Sequence, residues 1–167
     1  METLRSDAST HLTTLTGALA RGHSRDTESP DGIESVLLAR TVAETLLRSD
    51  NVADLIGAVV VARTGLRDLE QLRTKRTLKA YRPCFFNPVH QPAYDRATWR
   101  VGHATVSLPA CSTCLTAIRA GREPEVLRLG RRRQAYYERD DIWARTGFGA
   151  LVDDLAAQVM ADRMGSR

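Results

Sequence analysis

Three observations predict an α+β fold in which helix dominates. Leucine and alanine recur at helical spacing through the first seventy-odd residues. The character changes at Tyr81-Arg82-Pro83, after which turn residues and a hairpin signal take over. Apolar residues reach 43% while aromatics supply only 5%, so disorder is not expected and the core should rest on Leu, Val, Ile and Ala. A chain of 167 residues can hold one domain with a real core, or a helical segment fused to a smaller module.

The elements follow in order. Leu4, Ala8, Leu12, Leu15 and Leu19 mark a first helix over Met1 to Arg21, with Gly22 as its stop. Ser29-Pro30-Asp31-Gly32 is a turn signal. A second helix, Ile33 to Arg48, should bury Val36, Ala39, Ala43 and either Leu46 or Leu47. Ser49 or Asp50 is placed to cap a third helix carrying Val52, Leu55, Ile56, Val59 and Ala62. Gly65 interrupts it, and the period resumes at Leu66, Leu69 and Leu72, which predicts a kink or a restart.

Beyond residue 80, Cys84 to His90 holds Asn87-Pro88 and should be a loop. Thr98 to Val101 and Ala104 to Leu108 read as strands around Gly102-His103, with Pro109 ending the second. Cys111 to Arg119 reads as a short helix followed by Gly121. Gln134 to Glu138 reads as a strand, Ile142 to Arg145 as a helical turn, and Ala150 to Arg163 as a last helix burying Leu151, Leu155 and Val159. The expected organisation is a helical segment, 1–80, packed on a module, 81–167, that includes the C-terminal helix.

Cys84, His90, Cys111 and Cys114 carry the strongest chemical signal. Two cysteines at x₂ spacing, with a third cysteine and a histidine within about thirty residues, match a metal site better than a disulfide framework, which an odd cysteine count disfavours. Three thiolates and one imidazole make the Cys₃His set of a structural zinc, one per chain. An iron–sulfur cluster would call for four thiolates. His103 is the rival fourth ligand, but a hairpin tip should point it away. Phe85 or Phe86 should pack over the metal and exclude water.

Loop ligands, a hairpin, then a Cys-x₂-Cys pair on the first turn of a helix is an order that resembles a treble-clef zinc finger over residues 84–119. Cys111-Ser112-Thr113-Cys114 matches the helix-borne pair, whereas Cys84-x₅-His90 stands where that fold usually has Cys-x₂-Cys. Cys-Phe-Phe-Asn-Pro-x-His, Cys-x₂-Cys and Trp-Ala-Arg-Thr-Gly-Phe-Gly also resemble motifs of a group of actinobacterial Cys/His proteins with no known activity. The treble-clef resemblance implies a metal-stapled module, and neither resemblance implies a reaction.

Catalytic constellations are incomplete. A zinc deaminase needs a glutamate two residues after its first ligand, and here Phe86 follows Cys84 and Thr105 follows His103. Only His103 with Asp95 would remain as the seed of a small enzyme with a site apart from the zinc. Asp140-Asp141 and Asp153-Asp154 are adjacent pairs, whose side chains diverge on a helix.

The net charge of +4 allows an acidic partner without demanding one. Lysine occurs only at Lys75 and Lys79, so arginine supplies the other cations. Arg128, Arg131, Arg132 and Arg133 precede Tyr136 and Tyr137, a mixture that can grip a nucleic-acid backbone and stack a base. Glu138, Asp140 and Asp141 are expected to neutralise it. A second basic stretch, from Arg63 to Arg82, is diluted by Asp68 and Glu70 and reads as a solvated face. Trp143 is expected in the core, with tight turns at Gly147 and Gly149.

No charged-then-apolar leader opens the chain, and the longest apolar run, Leu55 to Ala62, is far short of the ~20 residues that span a bilayer. The expectation is a cytoplasmic, non-enzymatic zinc-binding scaffold that recognises a protein partner. Nucleic-acid binding is the alternative and a small enzyme the third reading.

Overall fold

The computed structural model describes residues 1–23, 32–101 and 103–165. It is a mostly helical α+β structure with two small antiparallel sheets. The chain divides into two compact units, Met1–Tyr81 with Ala156–Arg167, and Arg82–Leu155. The sequence alone assigns the last helix to the second module; its residues from Ala156 on group instead with the N-terminal helices. The turn signal at 29–31 lies outside the described residues.

In the first unit, α1 (Glu2–His23) and α2 (Ile33–Leu47) both pack on α3 (Val52–Thr74). Helix α1 runs through Gly22 to His23, beyond the predicted stop. Leu15, Ala18, Leu19, Val36 and Leu69 form a buried cluster, the leucine stripes doing what their spacing predicts. Leu46, rather than Leu47, takes the buried place at the end of α2. Residues 53–62 are all buried, so α3 is the central helix of this unit.

Helix α3 is continuous through Gly65, with neither kink nor restart. A Cβ built on Gly65 would lie 3.0 Å from Leu15 Cδ2 and 3.1 Å from the Ala39 Cβ. The glycine therefore lets both neighbouring helices approach α3, at the modest helix-propensity cost of a glycine. The cap of α3 is Asn51, not Ser49 or Asp50: its Oδ1 accepts the Ala53 N–H at 2.9 Å. Ser49 instead donates to the buried Asp54 carboxylate at 2.6 Å. Arg163 of α6 (Leu155–Gly165) donates to the other oxygen of Asp54 at 2.6 Å, tying the last helix to α3. Arg5 closes the end of α2 by donating to the carbonyls of Leu47 and Ser49 at 2.6 and 3.1 Å.

The second unit opens on a loop, followed by β1 (Asp95–Val101) and β2 (Ala104–Ala110), paired antiparallel from Asp95↔Ala110 to Val101↔Ala104. Both strands are longer than predicted. Pro109 lies inside β2, opposite Arg96, rather than ending it. A two-stranded ribbon has only edges, so the missing N–H is tolerated. The free Pro109 carbonyl accepts the Phe85 N–H at 2.9 Å, fastening the loop to the hairpin.

Helix α4 (Ser112–Arg119) ends as predicted, with Gly121 at φ +68° and the Arg122 N–H on the Ala117 carbonyl at 2.8 Å. The expected strand at 134–138 is only β4 (Gln134–Ala135), paired with β3 (Arg128–Leu129), and the chain then turns into a 3₁₀ helix, Tyr136–Glu138. Asp141 caps α5 (Ile142–Thr146) through the Ala144 N–H. The last helix begins at Leu155, not near residue 150: Gly147, Phe148 and Gly149 take positive φ just before this stretch, and Arg82 engages the Val152 carbonyl and Asp153 within it. Leu151 is exposed as a result.

Aromatic rings build the second core, contrary to the aliphatic core expected throughout. Seven of the chain's nine aromatic residues touch in series, from Trp99 through Phe86, Phe85, Tyr137 and Tyr136 to Phe148 and Trp143. Trp143 is buried as predicted and stacks on Phe148 at 4.8 Å. Arg82 clamps the two ends of this unit together, donating to the Gly149 and Val152 carbonyls and pairing with Asp153.

Gly65→Val is expected to destabilise the first unit by ~1–3 kcal/mol, since the added bulk must displace Leu15 or Ala39. A lowered urea midpoint at unchanged m-value is the measurement that checks it.

Candidate metal centre

Cys84, His90, Cys111 and Cys114 converge in the second unit, where one donor atom from each lies within 4.8 Å of all the others. The three cysteines are buried and reduced, and His90 is partly buried. Two pieces of local structure bring them together.

The first is the Cys84 loop. Asn87 folds it into a turn by accepting the Val89 N–H on its side chain at 3.3 Å and the His90 N–H on its carbonyl at 3.1 Å. Phe85 is tied to β2, and the Phe86 carbonyl accepts the Leu127 N–H at 2.8 Å. Buried Tyr136 then donates its hydroxyl to the Phe85 carbonyl at 2.6 Å. The loop is thus held by backbone on both sides.

The second is the start of α4. Cys111 is its N-cap, and the Cys111 Sγ accepts the Cys114 N–H at 3.5 Å. The x₂ spacing puts both sulfurs on one side of the first turn.

His90 Nδ1 lies 3.6 Å from Cys111 Sγ and 3.5 Å from Cys114 Sγ. In a tetrahedron with Zn–S near 2.3 Å and Zn–N near 2.0 Å, the S···N edge is about 3.6 Å. The two His90–sulfur distances are close to that edge, and the four donor atoms are near enough to hold one metal ion. The opposite ring nitrogen, Nε2, faces the Glu125 carboxylate at 3.4 Å. A carboxylate behind a histidine fixes the ring and raises its basicity toward a metal.

Burial by itself works against ionisation of the Cys84 and Cys114 thiols. Burial pushes the Cys84 thiol up, and the neighbouring Cys111 adds to this; the backbone N–H groups of Cys111, Asn87 and Phe86 work against it. Cys114 is also raised, first by burial and then by Cys84 and Cys111. Three thiolates in one buried pocket repel each other unless a cation sits among them, and a dication supplies that charge. Four protein donors close a tetrahedral shell and leave no position for substrate.

No family model, curated protein or solved structure matches this chain. Its site must be judged on its own residues.

Phe86 is fully buried beside Cys84, and Phe85 nearly so. His103 is exposed at the hairpin tip and outside the cluster. Asp95 sits at the opposite end of the hairpin, ~20 Å along the strand, and pairs with Arg119 at 3.5 Å. His103 and Asp95 therefore make no acid–base pair.

Arg128, Arg131, Arg132 and Arg133 are all exposed around the β3–β4 turn. Two of the three acids expected to neutralise them pair with other arginines: Asp141 with Arg139 at 2.7 Å and Asp140 with Arg145 at 3.8 Å. The expected stacking role of Tyr136 fails, because it has no exposed surface. Tyr137 is half-buried, with one face stacked on Phe85 at 5.4 Å. The second basic stretch is largely structural, with Arg63, Arg67, Arg73 and Arg82 hydrogen-bonded inside their own units.

Sequence reasoning missed Glu125. A carboxylate behind a metal-facing histidine has no fixed spacing, and 35 residues of chain separate the two.

His90→Ala is expected to speed metal loss to a chelator, and His103→Ala to leave it unchanged. Glu125→Gln should fall between them, ~10-fold weaker or more in retention. Chelator competition followed by a colorimetric metal indicator reads all three.

Proposed function

We propose that Cys84, His90, Cys111 and Cys114 hold one zinc ion whose role is structural. The reading extends to a treble-clef-like finger, with ligands from a loop, an intervening hairpin, and the first turn of a helix. The carrying observation is the Cys₃His donor set, three buried thiols and a partly buried imidazole whose donor atoms all lie within 4.8 Å of one another. Thiolate and imidazole donors select zinc over magnesium, calcium or manganese. Reduced thiols suit a cytoplasmic setting.

The protein on this reading is a non-enzymatic scaffold that presents the zinc-stapled module to a protein partner. Tyr94, 66% exposed beside the hairpin, is the type of residue that anchors such contacts. Structural zinc contributes ~10–16 kcal/mol of apparent binding energy in small fingers, comparable to the ~5–15 kcal/mol net stability of a whole domain. Cys111→Ser should therefore reduce zinc from one per chain to near zero and collapse the near-ultraviolet signal of the aromatic core. Most far-ultraviolet helicity should persist, because the leucine packing of α1, α2 and α3 uses no metal. Wild-type protein without zinc by elemental analysis would overturn the assignment.

One observation favours a second reading, nucleic-acid binding. Arg128, Arg131, Arg132 and Arg133 face solvent while Asp140 and Asp141 pair elsewhere. With Tyr136 buried, such binding would rest on phosphates and lack base specificity. For a protein-interaction scaffold, affinity for random duplex DNA is expected to be weaker than micromolar at physiological salt, and hardly altered when Arg131, Arg132 and Arg133 become Ala. Tight binding whose log K–log[salt] slope flattens by ~3 in that variant would establish the second reading, at about −0.9 per phosphate contact.

A further inference from the structure

The first unit carries a feature independent of the metal. A cavity of about 500 Å³ opens between α1 and α3, in the range of small-molecule sites. Ala18, Leu66 and Leu69 supply apolar lining, and Arg63, Arg73 and His11 supply the polar part. Leu69 and Ala18 are buried, which makes this surface continuous with the core of the unit.

Charge separates this groove from an ordinary gap between helices. Among the described residues Glu70 is the one carboxylate in the lining, and it is taken by Arg67 at 2.8 Å. Asp68 projects from the opposite side of α3, since 100° per residue carries it away from residues 63, 66, 70 and 73. Arg63 spends its Nε–H on His11 Nε2 at 3.1 Å, and Arg73 spends an Nη–H on the Ala18 carbonyl at 2.8 Å. Both partners are uncharged: an imidazole that accepts at Nε2 is neutral, and burial together with Arg63 lowers the His11 pKa, against a smaller upward pull from Asp7. Two guanidiniums thus border an apolar groove, and among the described residues the carboxylate of the lining, Glu70, is paired with Arg67 rather than with either of them. Each retains several N–H donors, arranged to grip a planar anion.

The geometry points to a binding site for a small amphiphilic carboxylate, its tail over Leu66 and Leu69 and its head on Arg63, with Arg73 flanking. Arg63 takes the head because it is half-buried, where charge is less screened by water, whereas Arg73 is exposed. The complement is specific: an alcohol of the same length would fill the groove and leave the cations unmatched.

Octanoate and 1-octanol, titrated separately into ¹⁵N-labelled full-length protein, test this. Octanoate should give saturable shifts at the amides of Ala18, Leu66 and Leu69, and bind ~10-fold or more tightly than 1-octanol, as a charge-assisted contact requires. Arg63→Gln should remove most of that preference and Arg73→Gln a smaller part, with the metal content of both variants unchanged. Equal affinities for acid and alcohol in the wild-type protein, shifts mapping elsewhere, or no saturation would overturn the site. The wild-type comparison decides the matter even where a variant folds poorly.

Discussion

Burial of three thiols around one imidazole is the constraint on which the second unit depends. Sulfur atoms this close in a dry pocket cannot all ionise on their own, and burial drives Cys84 and Cys114 toward the protonated form. Backbone N–H groups aimed at Cys84 oppose that drive. The chain therefore offers hydrogen bonds suited to thiolates in a place where thiolates are costly. A metal ion held by the cluster would reconcile the two, because it would supply positive charge at the centre.

The surroundings serve the same end. The Cys84 loop is pinned by Pro109 on one side and by Leu127 and Tyr136 on the other, so its cysteine and histidine are placed by backbone bonds as well as by any ion. The aromatic series packs behind it, from Trp99 on the hairpin to Trp143 on α5. Large flat rings fill a small core with few residues, which suits a unit that lacks long helices. The exposed Glu125 carboxylate stands 3.4 Å from the outer ring nitrogen of His90.

The first unit solves a different problem, three helices of ordinary composition meeting closely. Gly65 sits where α3 meets Leu15 and Ala39, so a residue of low helix propensity is retained for its lack of bulk. Asp54 shows the reverse case. It is charged and buried, yet Ser49 and Arg163 donate to its two oxygens, which makes its burial tolerable and anchors α6.

What the sequence determined by itself is what depends on local periodicity and ligand chemistry. The three long helices followed from leucine spacing, α4 from its cysteine turn and Gly121, and the cluster from one Cys-x₂-Cys pair with a nearby cysteine and histidine. Signals over three to ten residues reflect backbone geometry, which neighbouring chain decides. The tertiary structure decided the rest. Gly65 reads as a break until the helices beside it are seen, and Pro109 as a strand end until its carbonyl finds Phe85. Tyr136 looks free to stack a base until it is found buried, and Asp140 and Asp141 look like partners of Arg131 to Arg133 until Arg139 and Arg145 claim them. Arg139 and Arg145 lie within five residues of the acids they claim, where side-chain geometry rather than spacing decides, whereas Gly65, Pro109 and Tyr136 depend on residues far away in the chain. The pairing of His90 with Glu125 belongs to the same class, because only the folded chain brings that carboxylate to the ring.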